Sequence, residues 1–293
     1  MPKRKRVNVP KGSLSARPTR KPKLGQHFLN DPAAAVRIVD TLGDVSQSTV
    51  LEIGPGRDAL TSLLSKRARR LIAIELDRVL AAQLRMKFSL TPNVEIIEGD
   101  ILSIDFDTLF GPKPGSTRPG IELTPEKVQV IANLPYYVTS DTLLRLFEYR
   151  RYFQTIVLML QREVAERITA SPGGREYGLL SATAQLYARG EKLFTLPPEA
   201  FTPAPKVQST VVRLTVAPKL DRLRVPEAEF VNFLKLSFAQ KRKTLWNNLK
   251  PQYSGEFLRG ALEKAGVKPE IRAEALSLEK SAALFRALND GRN

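Results

Sequence analysis

Short apolar runs alternate with segments of helical periodicity through the middle of the chain. The pattern predicts strands over 50–53, 71–75, 94–97, 128–132 and 156–160, all rich in Val and Ile. Between them, apolar residues at helical spacing predict helices over 33–42, 59–66, 78–88 and 140–149. Because parallel strands need crossover connections, this alternation predicts an α/β fold with a doubly wound, mostly parallel sheet.

The pattern changes after the turn residues at 171–174. A helix over 177–188 precedes strands over 191–196 and 208–216, which we expect to add antiparallel edge strands. Helices over 227–240, 241–249, 255–265 and 277–288 follow a linker at 217–226. We therefore expect three parts: a disordered basic arm (1–24), a sheet domain (25–216) and a small all-α domain (217–293). The Pro- and Gly-rich stretch 111–127 is expected to be a surface insertion.

The amino-acid composition excludes several kinds of catalytic and metal site. The 293 residues contain no cysteine and one histidine, His27. Disulfides, thiolate metal sites and cysteine nucleophiles are therefore excluded, and a single histidine argues against a zinc site or a Ser-His-Asp triad. We expect no metal. The longest apolar runs are of strand length, so no membrane-spanning helix is expected.

The net charge of +16 is concentrated at the two ends. Residues 1–30 carry nine basic and no acidic residues, residues 31–191 sum to −1, and residues 192–293 sum to +8. This layout predicts a polyanionic partner held from both ends, although basic ends could also serve solubility alone. The arm has the composition of an RNA-binding tail, but also of a nuclear localisation signal or a transit peptide. No apolar segment follows it, which argues against a secretory signal.

A glycine turn follows the first predicted strand. Gly54 and Gly56 let the backbone bend sharply and approach a ligand, and with Ala59 they satisfy a loose dinucleotide-binding pattern. Glu75 follows about 20 residues later, where an acid that binds ribose is expected. Alone, this pattern fits an NAD(P) enzyme and a transferase with a nucleoside cofactor equally well, and Glu75 could also be a solvated acid.

A second acid, Asp100, follows the third predicted strand. Because the carboxyl ends of parallel strands line one crevice, Asp100 should lie beside Glu75. One acid could bind a ribose and the other an adenine amino group. Two acids would repel a pyrophosphate, so the pair favours S-adenosylmethionine over a dinucleotide.

The segment Asn133-Leu134-Pro135-Tyr136 ends the fourth predicted strand. Adenine N6 is a poor nucleophile, so an enzyme that methylates it needs acceptors for its N–H hydrogens and an aromatic face for the base. The side-chain oxygen of Asn133 and the carbonyl of Leu134 could accept the hydrogens, and Tyr136 could stack on the base. The tetrapeptide alone is typical of any turn after a strand. It indicates a methylation site only because it follows the fourth predicted strand.

With these motifs in order, the chain resembles the ribosomal RNA adenine N6-dimethyltransferases of the bacterial KsgA/RsmA type over roughly residues 23–290. The matching segments are 24–29, 51–56, 74–77, 99–100, 133–136, 159–167, 177–181, 201–209 and 272–277. The resemblance implies a class I methyltransferase fold. It also implies that S-adenosylmethionine contacts a set of six residues. These are His27, Leu29, Gly54, Glu75, Asp100 and Asn133.

The resemblance further implies that Phe201 faces Tyr136 across a flipped adenine. The alternatives are a core aromatic for Phe201 and a plain surface residue for His27. One departure from the family lies in the glycine turn, where Arg57 and Asp58 stand in place of small or apolar residues. We expect these two to pair with each other.

The predicted helical domain carries basic residues around Trp246, and these could bind RNA phosphates without reading sequence. They are Lys235, Lys241, Arg242, Lys243, Lys250 and Arg259. A solvated helix face is the alternative.

The resemblance implies dimethylation of two adjacent adenosines in the 3′-terminal helix loop of small-subunit (16S) rRNA. The implied partner is the pre-30S particle, and the enzyme is expected to be a cytoplasmic monomer. Three alternatives stay open: a large-subunit rRNA methylase that confers antibiotic resistance, a non-catalytic ribosome-assembly factor, and a nicotinamide-dependent oxidoreductase.

Overall fold

The computed structural model describes residues 26–111 and 127–290. The predicted arm and most of the predicted insertion lie outside the described residues. The strands are β1 (Phe28–Leu29), β2 (Thr49–Ile53), β3 (Arg70–Glu75), β4 (Val94–Glu98), β5 (Val128–Asn133), β6 (Phe153–Gln161), β7 (Ala188–Leu196), β8 (Phe201–Thr202) and β9 (Ser209–Val216).

Helices connect these strands and form the C-terminal part of the chain. They are α1 (Pro32–Asp40), α2 (Thr61–Leu64), α3 (Arg78–Lys87), α4 (Phe106–Phe110), α5 (Thr139–Glu148), α6 (Arg162–Ile168), α7 (Leu179–Tyr187), α8 (Leu220–Leu223), α9 (Glu227–Ser237), α10 (Leu245–Leu249), α11 (Gly255–Lys264) and α12 (Leu278–Asp290). The start of α1 follows from its sequence. Asp31 accepts hydrogen bonds from the first free N–H groups, and Pro32 fits the first helical turn.

Seven strands form one sheet in the order β4-β3-β2-β5-β6-β9-β7. The five strands from β4 to β6 are parallel, β9 is antiparallel to β6, and β7 is antiparallel to β9. The predicted fold class, with its antiparallel edge strands, is therefore confirmed. The chain order reverses between β2 and β5, which opens a crevice at the carboxyl ends of these strands.

The central strands of the sheet are buried on both faces, because their alternate residues pack into different clusters. In β6, Ile156, Leu158 and Leu160 belong to one hydrophobic cluster, whereas Val157 and Met159 belong to the other. Strands covered on both sides read as continuous apolar runs, which is why the sequence pattern located them.

The C-terminal helices pack into the first of these clusters. Phe230 of α9 and Phe285 of α12 lie with their ring centroids 5.4 Å apart and share the cluster with sheet residues. Across the same contact, Glu227 accepts hydrogen bonds from the Tyr187 hydroxyl (2.9 Å) and from the Arg150 guanidinium (2.6 Å). Apolar burial and a polar network therefore both hold α9 against the sheet domain.

Several elements differ from the sequence-based expectation. The second helix is short because Asp58 has a positive φ of 70° and residues 56–60 form turns. The helix expected over 241–249 begins at Leu245, where the Thr244 side chain caps it. Helices α4 and α6 were not predicted, and the expected linker contains α8. These are short elements, for which apolar periodicity is a weak signal.

Candidate active site

A cleft lies at the carboxyl ends of β2, β3, β4 and β5. Seven of the residues singled out from the sequence line it: His27, Leu29, Gly54, Glu75, Asp100, Asn133 and Leu134. The strand order therefore brings together residues from four segments, and His27 and Leu29 come from a fifth. Phe201 is not among the lining residues.

The floor of the cleft is the glycine turn after β2. Gly54 has φ +70° and Gly56 has φ +57°, a left-handed conformation that other residues adopt only with strain. A Cβ on Gly54 would lie 3.4 Å from the Asn133 carbonyl oxygen, and one on Gly56 would lie 2.9 Å from the Phe28 ring. The left-handed conformation therefore favours glycine at both positions, and at Gly56 the Phe28 ring also leaves too little space for a Cβ.

Glu75 ends β3 and is almost fully buried in the cleft wall. One carboxylate oxygen accepts a hydrogen bond from the Gly56 N–H (3.0 Å), and the other accepts from the Asp77 N–H (2.9 Å). Burial raises the pKa of Glu75, and the two backbone hydrogen bonds oppose that rise. Glu75 thus holds the glycine turn in place, and each oxygen keeps a further lone pair for a ligand.

Asp100 follows β4 at the other side of the cleft and is exposed. Its Oδ1 accepts a hydrogen bond from the Leu102 N–H (3.0 Å), which orients the carboxylate. Because Glu75 and Glu98 are paired residues of β3 and β4, Asp100 lies two residues beyond the strand position beside Glu75. The expected pair of acids therefore borders one cleft.

Residues 26–29 line one wall of the cleft, and residues 200–203 pack against them; we call these two segments, 26–30 and 200–203, the clasp. Leu29 pairs with Phe201 in the small antiparallel sheet of β1 and β8. The His27 ring donates from Nδ1 to the Pro203 carbonyl (2.7 Å), and the Asn30 amide donates to the Thr202 hydroxyl (2.5 Å). The clasp thus places His27 and Leu29 beside the glycine turn.

The Phe201 ring is buried within the clasp, with 3% of its surface exposed. It packs in the second hydrophobic cluster together with Leu29 and Val211. The structure therefore brings Phe201 next to the cleft wall but not into the cleft, an arrangement that the core alternative anticipated.

Asn133 ends β5 with its side chain half-buried in the cleft. Its Nδ2 donates to the His27 carbonyl oxygen (3.1 Å). A carbonyl can only accept, so this bond fixes the orientation of the carboxamide and leaves Oδ1 as an acceptor. In the described part of the chain, the next carbonyl, that of Leu134, accepts no hydrogen bond. Two hydrogen-bond acceptors are thus available at one strand end.

Two tyrosines follow this strand end in a turn of 3-10 helix, Tyr136–Val138. The side chain of Tyr136 lies outside the described part of the structure. Tyr137 lines the cleft and is 63% exposed. The sequence analysis did not select Tyr137, because two adjacent tyrosines offer no pattern that distinguishes them.

Arg57 and Asp58 do not pair with each other, contrary to the expectation from sequence. The Arg57 guanidinium lies over the Phe28 ring, 4.5 Å from its centroid, and Asp58 forms an ion pair with Lys87 of α3. Asp58 sits at a positive φ, and the bond to α3 helps to hold it there. The two side chains therefore connect the glycine turn to two different neighbours, Phe28 and α3.

Glu52 is a cleft residue that the sequence analysis did not select. It lies in β2, is 1% exposed and lines the cleft. Among the described residues, its Oε2 and the nearby Thr61 hydroxyl lack hydrogen-bond partners. Burial raises the pKa of Glu52 to about 8, and the negative charges of Asp58 and Glu75 add to the rise. At neutral pH, Glu52 is therefore mainly a neutral acid.

We expect Glu52→Gln to raise the melting temperature at pH 8 by several degrees. In the unfolded chain the glutamate ionises near its ordinary pKa of 4.5, whereas in the folded chain it ionises near 8. Wild-type stability therefore falls between these two pH values, and the neutral amide avoids that loss. Calorimetry from pH 4.5 to 8 checks this, since the advantage should vanish at the acidic end. An equal difference at every pH would contradict it.

The basic residues predicted to bind RNA are all exposed, and within the described ranges none of them forms an ion pair with a carboxylate. They are Lys235, Lys241, Arg242, Lys243, Lys250 and Arg259. The Arg259 guanidinium lies 6.0 Å from the Trp246 ring centroid. Lys241 donates to the Arg175 carbonyl (3.0 Å), which links the turn between α9 and α10 to the loop before α7. Their positive charge is therefore not neutralised by the protein itself.

In the portions covered by the structure, no group of three or more His, Asp or Glu side chains is placed to hold a metal ion. No helix in those portions is long and apolar enough to cross a bilayer. The cleft is therefore the site with the most developed geometry among the described residues.

Comparison with known proteins gives consistent matches over nearly the whole chain. The family model described as Ribosomal RNA adenine dimethylase matches residues 17–290. A Koribacter versatilis protein named Ribosomal RNA small subunit methyltransferase A is 54% identical over 277 residues, covering 94% of this chain and 97% of that protein. The protein of the same name from Acidobacterium capsulatum is 52% identical over 271 residues, covering 92% of each.

Solved structures agree with these sequence matches. A dimethyladenosine transferase from Plasmodium falciparum superposes with a TM-score of 0.74 at 26% identity, covering 90% of this chain and 98% of that one. The 23S rRNA methyltransferase ErmE gives a TM-score of 0.66 at 27% identity, covering 89% and 99%. The architecture described above is therefore the class I methyltransferase fold with a C-terminal helical region.

Proposed function

Because the chain belongs to the ribosomal RNA adenine dimethylase family, we propose that it dimethylates adenine N6 in small-subunit rRNA. The observation that carries this proposal is the oriented carboxamide of Asn133 beside the open Leu134 carbonyl, within a cleft bordered by two strand-end acids. The relatives named for the small-subunit enzyme support the choice of substrate. The two adjacent adenosines of the 3′-terminal helix loop are its proposed target.

S-adenosylmethionine is the proposed methyl donor, and its sulfonium supplies an activated methyl group. The cleft fits a cationic nucleoside in three respects. Glu75 and Asp100, which line the cleft, are proposed to bind the ribose and the adenine amino group, and Gly54, which has no side chain, lets a ligand approach the backbone closely. Buried Oε2 of Glu52 also lacks a partner in the described part of the protein. His27, Leu29 and Asn133 complete the proposed binding set.

The residues at the end of β5 are proposed to orient the amine. Asn133 Oδ1 and the Leu134 carbonyl oxygen accept the two N6 hydrogens, so the nitrogen lone pair points at the methyl group. The aromatic side chains of Tyr136 and Phe201 are proposed to hold the base. Because Phe201 is buried in the clasp, this role requires the ring or the clasp to move when RNA binds.

A methylation assay on separated ribosomal subunits tests the proposed substrate. With S-adenosylmethionine carrying a labelled methyl group, we expect label in undermethylated small-subunit rRNA, and mass spectrometry should identify N6,N6-dimethyladenosine at two adjacent positions. Label only in large-subunit rRNA would support the resistance methylase instead. Failure to bind S-adenosylmethionine would support an assembly factor without catalysis, and tight NAD(P) binding would support an oxidoreductase.

Glu75→Ala is expected to weaken S-adenosylmethionine binding by about 10–100-fold, because it removes a hydrogen-bonded carboxylate from the ligand and from the glycine turn. Isothermal titration calorimetry of the purified variant measures this effect. Glu98→Ala is the matched control: it is the strand neighbour of Glu75, is exposed and pairs with Arg85. Equal losses in both variants would contradict a specific role for Glu75.

The rRNA within the pre-30S particle is the proposed partner, held by the basic arm and the helical part. Deleting residues 1–23 should weaken RNA binding and reduce the dependence of log K on log salt concentration, because fewer counterions are released. Filter binding at several salt concentrations provides the measurement. An unchanged slope would show that the arm makes no phosphate contacts.

We further propose a monomer that acts in the cytoplasm, where the small subunit is assembled.

A further inference from the structure

Glu52 is a buried carboxylic acid that the proposed binding and methyl transfer do not explain. Its side chain is buried in β2 at the cleft lining, and Oε2 and the Thr61 hydroxyl both lack partners in the described ranges. Nearly all buried polar groups in proteins are hydrogen-bonded, so an unsatisfied carboxyl at a ligand cleft calls for a functional explanation.

The charged groups around Glu52 are mostly negative. Glu75 faces it from β3 and Asp58 faces it from the glycine turn, and both disfavour a second negative charge. The charge on Asp58 is itself engaged by Lys87 of α3. Asp100 and His27 border the same cleft from β4 and from the clasp. No cation in the described structure pairs with Glu52 itself.

We propose that Glu52 is a charge sensor: it is protonated in the free protein, and it loses its proton to solvent when the cationic methyl donor binds in the cleft. The inference rests on the proposed function and deepens it. Ionised Glu52 then attracts the donor, which carries a sulfonium charge that the product, S-adenosylhomocysteine, lacks. After methyl transfer this attraction weakens and Glu52 takes up a proton from solvent. Glu52 therefore favours donor over product without contacting the adenine.

Proton release upon binding is directly measurable. Titration calorimetry at pH 7 in phosphate and in Tris, which differ in ionisation enthalpy, gives the number of protons released. Since the free carboxyl titrates at about 8, the wild-type protein should release up to about 0.9 proton with S-adenosylmethionine. Release with S-adenosylhomocysteine should be less than half of that.

The variant Glu52→Gln assigns the proton to this residue. It should bind S-adenosylmethionine with little proton release, and its Kd should vary less between pH 6 and 7.5 than the wild-type Kd, which falls by up to about tenfold per pH unit. The ratio of product Kd to donor Kd should fall by about tenfold. Glu95→Gln, which removes an exposed acid that pairs with Arg70 outside the cleft, should behave like the wild type.

The outcomes separate the two proposals. Donor binding without proton release by the wild type would overturn the role of Glu52 and leave the methyltransferase proposal intact. The same holds if Glu52→Gln binds the donor and releases as many protons as the wild type. Absence of donor binding by the wild type would overturn both proposals. The wild-type measurement does not depend on whether the variant folds.

Discussion

Asn133→Ala is expected to reduce kcat/KM for methyl transfer by about 10²–10³-fold while leaving RNA affinity within about twofold. The Asn133 amide is oriented by the His27 carbonyl, so its Oδ1 is a preorganised acceptor and not a freely rotating group. Without it, the target amine would retain only the Leu134 carbonyl and would lose its alignment. A single-turnover assay with saturating donor and RNA measures the loss.

The controls for Asn133→Ala separate orientation from binding. Asn133→Asp keeps an acceptor oxygen but cannot donate to the His27 carbonyl, so we expect a loss similar to that of the alanine variant. Gln83→Ala removes an exposed carboxamide from α3 and should be fully active. A parallel loss of RNA binding and catalysis in Asn133→Ala would count against the assigned role, as would near-normal activity.

Replacing Lys241, Arg242 and Lys243 together with alanine should weaken RNA binding by about 10–100-fold at moderate salt. These exposed cations lack carboxylate partners in the described ranges, so their charge is available to phosphates. The slope of log K against log salt concentration should become shallower by about 2 units, because each phosphate contact contributes about 0.7–0.9. Binding of S-adenosylmethionine should not change.

A matched triple variant distinguishes contact from general charge. Arg67, Arg70 and Arg85 are exposed or half-exposed and pair with carboxylates. Replacing them with alanine changes the net charge by the same amount, and we expect the salt slope to change by less than about 1 unit. If both triple variants flatten the slope equally, RNA affinity depends on the overall charge of the protein and not on contacts with the turn between α9 and α10.

The central strands of the sheet could be predicted because they are buried on both faces and therefore read as uninterrupted apolar runs. The start of the second helix could not be predicted, since Asp58 adopts a left-handed conformation and pairs with Lys87, a residue distant in sequence. Helix α6 begins at Arg162, directly after Gln161 at the end of β6, so no turn separates the two elements. Local pattern thus located the elements, and tertiary contacts determined their ends.

Much of the candidate site was predictable for a similar reason. Parallel strands end at one edge, so Gly54, Glu75, Asp100 and Asn133 could be placed together before any coordinates were known. Glu52 was missed because a single acid within an apolar strand has no periodicity of its own. Its protonation depends on desolvation and on neighbouring charges, which only the folded chain brings together.

The clasp affects the order in which parts of the protein fold. Asn30 and Thr202 are 172 residues apart in sequence, and the contact between their segments closes a loop that contains most of the sheet domain. Because the entropic cost of closing a loop rises with its length, we expect this contact to form after the local contacts of the sheet. A nascent chain cannot complete the cleft wall until Phe201 has left the ribosome. In the folded protein, the sheet of β1 and β8 has only two residue pairs, so it should open locally more often than the large sheet. Its amides, such as the Asn30 N–H bonded to the Ala200 carbonyl, should therefore exchange with solvent before those of β2 or β5.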